Sequence, residues 1–190
     1  SWSAGQSNLI DADLSDNGKI LAVSVTAFDG NVLNSKVMFF NIEKSDKAYA
    51  EYSFGENMVS RLQWNGNNKL LCVGDREFTV CDSKAKKIWG FSYEGKSLNF
   101  FDISQENNLV FVLGTSALDR NMQVYSYNKR GGINGAFSHE FDITGIAASK
   151  YGILFSSTRH LMLTDKKGNI KSERRSTQDI NKIKLFKNGK

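Results

Sequence analysis

Apolar and polar residues alternate in short runs along this chain, and clusters of Ser, Asn, Asp and Gly separate the runs. β-branched and aromatic residues enrich the runs, so they read as strands near Lys19–Val25, Lys36–Ile42 and Ala48–Phe54 in a first unit. A second unit carries strands near Val59–Trp64, Lys69–Val73, Phe78–Asp82 and Lys87–Tyr93. A third carries Leu98–Ile103, Leu109–Leu113, Met122–Tyr127 and Ala136–Phe141. A fourth carries Ile143–Ala148, Gly152–Ser156, His160–Thr164 and Asn169–Glu173. The second strand of each unit is almost wholly apolar, as in a strand covered on both faces. The fourth strands alternate aromatic with polar residues (Tyr49, Tyr52, Phe54; Trp89, Phe91, Tyr93; Phe137, Phe141), which suits one wet face. No segment of useful length shows a helical period.

One phrase recurs at the end of each first strand: Asp13-Leu14-Ser15, Gln63-Trp64-Asn65, Asp102-Ile103-Ser104 and Ala147-Ala148-Ser149. Its last residues, Ser15, Asn65, Ser104 and Ser149, stand 50, 39 and 45 positions apart. Repeats of that length, four strands each, predict an all-β chain of β-propeller type. The expectation is about four complete four-stranded blades in a single propeller over 1–190, with units near 8–56, 57–97, 98–142 and 143–182. A β-sandwich or a solenoid fits the four-strand rhythm less well. Trp2, seven residues before Leu9, reads as the outer strand of an earlier blade, and Ile183–Phe186 as the first strand of a later one. Partial blades are therefore expected at both ends, and exposed edge strands there would allow self-association.

Two stretches carry resemblances. The turn Asp82-Ser83-Lys84-Ala85-Lys86-Lys87-Ile88-Trp89, and more weakly Asp165-Lys166-Lys167-Gly168-Asn169-Ile170, resembles the Asp-x-x-Gly-x-x-x-Trp turn of quinoprotein-type, WD40-like propeller repeats. Tyr52 and Phe137 stand at the tryptophan-docking positions and the fourth unit has none, so no quinone or other cofactor is expected. Residues Asp13 to Ser24, with Lys36 to Asn41 and Val73-Gly74-Asp75, resemble an uncharacterised family of propeller-like proteins of Gram-positive bacteria. That resemblance, clearest over residues 11–82, implies an N-terminal membrane anchor, a propeller outside the cell and no assigned activity.

The chain has no proline, so its turns fall to Gly, Asn, Asp and Ser, as in Asp16-Asn17-Gly18 and Gly131-Gly132. Its net charge of +5 is unevenly placed. Residues 1–170 balance 18 basic against 18 acidic residues; residues 171–190 hold seven basic residues against Glu173 and Asp179. This reads either as a solvated outer strand or as a contact for an anionic partner. No aromatics interleave Arg174 to Lys184, which argues against nucleic acid. No apolar run is long enough for a membrane span, and Ser1 marks the chain as a processed or excised piece whose targeting segment, if any, lies upstream.

Cys72 and Cys81 lie on neighbouring strands of one hairpin with its turn at Asp75-Arg76. That register sets Cys72 opposite Thr79 and Cys81 opposite Leu70, a diagonal relation that favours buried free thiols over a disulfide.

The candidate binding residues are basic and apolar groups at the hairpins between second and third strands. Arg76, Arg120 and Arg159 each stand two residues before a third-strand apolar residue, and Lys36 stands one before Val37. All such hairpins leave a propeller on one face, so these residues would form a positive rim. The competing reading is local neutralisation by Asp75 and Asp119. The longest hairpin loop, Thr26–Ser35, carries Phe28, Asp29 and Val32-Leu33 near its tip, either for a protein contact or for packing on its own strands; Gly114–Asn121 is shorter and carries Leu118. Asp11 to Gly18 resembles a calcium loop but lacks its ligand spacing, since position twelve is Ala22, so no metal site is expected. His139 and His160 are the only histidines and lie on different strands, and no nucleophile turn or phosphate loop occurs, so no catalytic residue is nominated. The expected function is a non-catalytic extracytoplasmic platform for a protein or an anionic cell-envelope polymer. The alternatives are a hydrolase or lyase acting on an anionic polymer, and a cytoplasmic scaffold.

Overall fold

The computed structural model describes residues 7–44, 46–93, 95–104, 109–114, 122–128, 130–138, 140 and 142–184. Among the described residues sixteen strands form four antiparallel four-stranded sheets, each in simple meander order. The first holds β1 (Asn8–Leu14), β2 (Ile20–Asp29), β3 (Val32–Asn41) and β4 (Ala50–Gly55), and the second β5 (Val59–Asn65), β6 (Lys69–Gly74), β7 (Glu77–Asp82) and β8 (Lys87–Ser92). The third holds β9 (Ser97–Ile103), β10 (Leu109–Gly114), β11 (Gln123–Tyr127) and β12 (Ile133–Ser138). The fourth holds β13 (Gly145–Ser149), β14 (Gly152–Ser156), β15 (His160–Thr164) and β16 (Ile170–Arg175). The chain divides into two compact units, Ser1–Glu94 and Gly95–Lys190, each containing two sheets.

In each unit the core lies between its two sheets. In the first unit Ala22, Val37, Phe39 and Phe54 meet Val59, Leu62, Trp64, Leu70, Cys72 and Cys81. Phe39 meets Trp64 edge to face with ring centroids 6.1 Å apart. In the second unit Met122 and Val124 meet Ile143, Ile153, Phe155 and Met162. Each fully buried Leu, Ile or Phe contributes about 1.5–3 kcal/mol of transfer free energy, so these seams dominate stability. β6 is buried from Leu70 through Gly74, on both its faces, because a second strand is covered from either side.

The recurrent phrase of the sequence proves to be a clamp between sheets. Asp11 Oδ2 accepts the Leu62 N–H at 2.7 Å and Asp13 Oδ2 accepts the Trp64 N–H at 2.6 Å. In the second unit Asp102 Oδ2 accepts the Ala148 N–H, again at 2.6 Å. An edge strand leaves N–H groups unpaired, and a carboxylate on the adjacent sheet satisfies them with charge-assisted bonds. Asp11 and Asp13, two of the three acids of the calcium-like stretch, are used in this way.

A second recurrent device closes the hairpins between third and fourth strands. Asp82 Oδ1 accepts the N–H groups of Lys84 and Lys86 at 2.8 Å, while Ala85 N–H donates to the Asp82 carbonyl at 3.1 Å. Asp165 accepts Lys167 and Asn169 N–H, and Asn128 accepts Arg130 and Gly132 N–H, in the same pattern. Hydrogen bonds from the Asn169 side chain, then from the backbone, hold the Asp165 carboxyl below its ordinary range. The fourth turn residue takes a positive φ: 84° at Gly131, 93° at Gly168 and 63° at Ala85.

The structure moves several expected boundaries. β2 and β3 are ten residues each and pair through to Asp29 opposite Val32, so Thr26–Ser35 is a strand hairpin rather than a loop, and Lys36 lies within β3. Hydrogen bonding continues past Val25 because Ala27–Asp29 and Val32–Asn34 have a two-residue turn between them. β12 begins at Ile133, earlier than Ala136, since the tight Asn128 turn returns the chain at once. The predicted strand at Ile183–Phe186 is not formed over residues 181–184, and Phe186 lies outside the described residues, as do Trp2, His139, Phe141 and Leu118. The cysteine register is as expected, Cys72 opposite Thr79 and Cys81 opposite Leu70, with both thiols free and buried. Burial, and then the neighbouring Cys81 thiol, push the Cys72 pKa well above its ordinary value.

A candidate interaction face on the first unit

The Asp11–Leu62 and Asp13–Trp64 bonds advance together along β1 and β5, so the two sheets of the first unit run in the same direction. The β2–β3 turn, the β4–β5 connection and the β6–β7 turn therefore emerge at one end of that unit. Two features meet the solvent there, a ribbon and a recess.

The ribbon is the distal part of the β2–β3 hairpin. Among the described residues β1 joins β2 only as far as Thr26 and β4 joins β3 only from Ser35, so residues 27–34 extend beyond the described parts of both flanking strands. A two-stranded ribbon is marginal alone, but this one grows from a fixed base. Ser24 Oγ donates to the Val59 carbonyl at 2.7 Å, and Ser35 Oγ accepts the Val59 N–H at 3.3 Å. Alternation along the strands puts Phe28 and its cross-strand partner Leu33 on the same face as Ser24, Thr26 and Ser35, the face turned toward the second sheet. Phe28 is 66% exposed and Val32, on the other face, is 50% exposed.

The recess is an open hollow of about 470 Å³ lined by Phe54, Glu56, Asn57, Arg76, Glu77 and Ser92. Asn57 organises it. Its Oδ1 accepts the N–H of Arg76 at 2.9 Å and of Glu77 at 3.3 Å, which fixes the β6–β7 turn. Gly74 permits this: a Cβ there would stand 2.3 Å from Asn57 Oδ1. The Asn57 Nδ2 group is buried with no hydrogen-bond partner among the described residues. Asp75 Oδ1 accepts the Met58 N–H at 3.0 Å, tying turn to connection. Arg76 makes an ion pair with Glu56 at 3.2 Å, both side chains more than half exposed, so the pair contributes at most about 1 kcal/mol and stays available to a partner. Glu77 receives Thr79 Oγ1 at 3.2 Å and lies 3.8 Å from Lys87 Nζ. Beneath the turn, the Tyr93 N–H donates to the Arg76 carbonyl at 3.0 Å. The Tyr93 hydroxyl is buried without a hydrogen-bond partner among the described residues; burial, then the Asp75 and Glu77 charges, push its pKa upward.

The structure brings Arg76, Phe28 and Asp29 to this end of the first unit. Lys36 is anchored within β3 by an ion pair with Glu51 at 2.9 Å. Arg159 occupies the β14–β15 turn of the second unit, where it meets Asp179 at 2.6 Å, and Arg120 lies outside the described residues. Arg76 is balanced by Glu56 rather than by the adjacent Asp75, whose carboxylate serves Met58. Sequence reading missed Glu56, Asn57 and Glu77. The one signal available was Gly55-Glu56-Asn57, a turn cluster just before an apolar strand. Among the described residues no three His, Cys, Asp or Glu side chains group to hold a metal.

Repeated four-stranded meanders joined by inter-sheet clamps define a β-propeller of the WD40-like class, and solved structures agree. The Hsv2 structure from Kluyvelomyces marxianus matches with a TM-score of 0.61 at 11% identity, covering 96% of this chain and 67% of that one. The Dos1 propeller matches with a TM-score of 0.62 at 12% identity, covering 96% and 51%. The Neurospora crassa Pan2 WD40 domain matches at 0.54 and 9% identity, covering 90% and 51%. At such identities the likeness is one of fold, and the chain spans about half the length of the latter two. No curated protein matches. Residues 4–190 match a family model described as a family of unknown function, DUF5711, and the chain belongs to that family.

Proposed function

We propose that this chain is a non-catalytic binding platform for a protein partner, held outside a bacterial cell by a membrane anchor that lies beyond this sequence. The partner docks on the end of the first unit that carries the β2–β3 ribbon and the Arg76 recess. The observation that carries this reading is the ribbon itself. Among the described residues it extends past both flanking strands, with Phe28 and Val32 exposed, at the same end as a recess with Arg76, Glu56 and Glu77 on its wall. Apolar side chains on a projecting hairpin add little to a sheet's own stability but supply the desolvated centre an interface needs, and a charged rim supplies register. The resemblance to anchored propeller-like proteins of Gram-positive bacteria supports the compartment.

The test replaces Phe28 with a photo-crosslinking residue in the native host and compares it with the same residue at Ile88, an exposed position on β8. A discrete adduct at position 28, absent at 88 and lost when Arg76→Glu is added, is the expected result. Equal adducts at both positions, or an adduct indifferent to Arg76→Glu, would overturn the docking face. Protease treatment of intact cells tests the compartment: an extracytoplasmic platform is digested without lysis.

A further inference from the structure

Three hairpin turns meet at one end of the second unit. The β15–β16 turn lies directly against β12: a Cβ on Gly135 would stand 2.6 Å from the Lys166 carbonyl oxygen, and one on Gly168 would stand 2.4 Å from the Phe137 ring. The β11–β12 turn closes at Gly132, just before that contact. Lys171 Nζ reaches the Tyr151 carbonyl at 2.6 Å, which ties the β13–β14 turn to the same place. Among the described residues these turns and the start of β16 carry Arg130, Lys150, Lys166, Lys167 and Lys171 against one acid, Asp165. The Asp165 carboxylate is taken up by its own turn, where it accepts the Lys167 and Asn169 N–H groups and the Asn169 amide. Arg130, Lys150, Lys166 and Lys167 have no ion-pair partner among the described residues. Large apolar side chains are exposed between these charges: Ile133 by 58%, Tyr151 by 47% and Ile170 by 52%. The end of the first unit opposite its ribbon repeats the mixture, with Lys44, Lys84 and Lys86 exposed together with Ile42, Tyr49 and Ile88. There Glu43 and Asp46 offset part of the charge.

We propose that this end of the second unit binds the surface of a bilayer that contains anionic phospholipid. The mixture of cations with exposed apolar side chains carries the proposal. Lysine stems lie along apolar surface while their ammonium groups stay at the level of the lipid phosphates. Isoleucine and tyrosine side chains settle just below that level, where a ring with a polar tip is at home. Three turns ending together form an area rather than a line, so several headgroups are met at once and each cation adds to the attraction. A soluble polyanion would use the charges but has no use for Ile133 and Ile170. Nucleic acid needs open aromatic faces for stacking, and the Tyr151 ring already has Lys150 Nζ 4.8 Å from its centroid. The proposal is independent of the docking face on the first unit.

The full chain is mixed with vesicles of phosphatidylcholine alone and with vesicles of rising phosphatidylglycerol content. The bound fraction is read by flotation at low and moderate salt. Binding is expected to rise steeply with the anionic fraction, to fall with salt, and to be absent on phosphatidylcholine alone. K150E/K166E/K167E is expected to lose about tenfold or more in partition coefficient. R174E/R175E/K182E makes the same change in net charge at the far end of β16 and in the segment after it, and is expected to bind as the parent does. K150Q/K167Q gives a smaller loss in the same direction and guards against misfolding of the triple variant. I133S/I170S is expected to lose about threefold or more while keeping the parent's salt dependence. Parent-like binding by K150E/K166E/K167E or by I133S/I170S would overturn the proposal. So would an equal loss in R174E/R175E/K182E, or tighter binding to a single-stranded oligonucleotide than to the anionic vesicles.

Discussion

Asp13 holds Trp64 twice: its Oδ2 accepts the Trp64 backbone N–H at 2.6 Å, and its carbonyl accepts the indole Nε1–H at 3.1 Å. The residue thereby seats the largest side chain of the first unit's core and fixes β5 against β1. A hydrogen bond to a charged group is worth about 1.5–3 kcal/mol, and removing the acceptor leaves the Trp64 N–H unmet at a closed seam. Asp13→Ala is expected to lower unfolding stability by about 2 kcal/mol, and Asp13→Asn, which keeps an oxygen, by less. Urea titration followed by tryptophan fluorescence measures both. A loss below about 0.5 kcal/mol for Asp13→Ala would mean the clamp is idle.

Ala85 and Gly168 occupy the same place in two hairpin turns, yet substitutions there should behave differently. Ala85 pays for φ 63°, a cost of about 1–2 kcal/mol for a residue with a Cβ. Its methyl group belongs to the buried core, worth about 0.8 kcal/mol, and Gly would add chain entropy of about 0.5–1 kcal/mol to the unfolded state. Ala85→Gly is therefore expected to be neutral within about 0.5 kcal/mol. Gly168→Ala is expected to cost 2 kcal/mol or more (about 1–2 for the backbone, the rest for overlap), because a Cβ would stand 2.4 Å from Phe137 Cγ. Thermal melts of the two variants would separate them, and equal melting points would refute the packing argument.

Gly74→Ala tests the Asn57 strut. The added methyl meets the Asn57 amide at 2.3–2.6 Å, so that amide must leave, and the N–H groups of Arg76 and Glu77 lose their acceptor. A loss of about 2 kcal/mol is expected for Gly74→Ala. Adding Asn57→Ala should cost little more, since the first change has already displaced the strut. Two additive losses in a double-mutant cycle would show that Asn57 does not act through the turn.

Legibility in the sequence follows the range of the interaction. The strands and the cysteine register were readable because alternation and a two-residue turn are local, so Leu71 opposite Val80 follows from chain position alone. The Asx turns at Asp82 and Asp165 were readable for the same reason. Asn128 completes the same turn with an amide in place of a carboxylate and so escaped a pattern that asked for Asp. The clamps were visible as the residues Asp13 and Asp102 but not as clamps, since Trp64 and Ala148 are about fifty positions away. The recess was hidden altogether: Asn57 and Gly74 meet only because a glycine on one strand leaves room for an amide from a connection. The rim could not be read as charge alone, since Glu56, which balances Arg76, lies 20 positions from it.

Tyr93 ties stability to alkaline pH. Its hydroxyl is buried without a partner among the described residues, and burial, then the Asp75 and Glu77 charges, hold its pKa above the ordinary 10.0. The folded chain therefore keeps a proton that the unfolded chain releases. Stability from this source is complete below pH 10 and falls as pH rises past it, by about 1.4 kcal/mol per unit for one proton. Cys72, raised above 9.0 by burial and then by Cys81, adds a loss of the same sign that begins nearer pH 9. Tyr93→Phe removes an ionisable group and an unmet hydroxyl together, so it is expected to stabilise the neutral protein by about 1 kcal/mol and to flatten the decline above pH 10. Urea midpoints for parent and variant at pH 8, 9.5 and 11 are the measurement. A Tyr93→Phe chain less stable at pH 8, with an unchanged alkaline slope, would show that the hydroxyl has a partner and titrates no differently in the folded state.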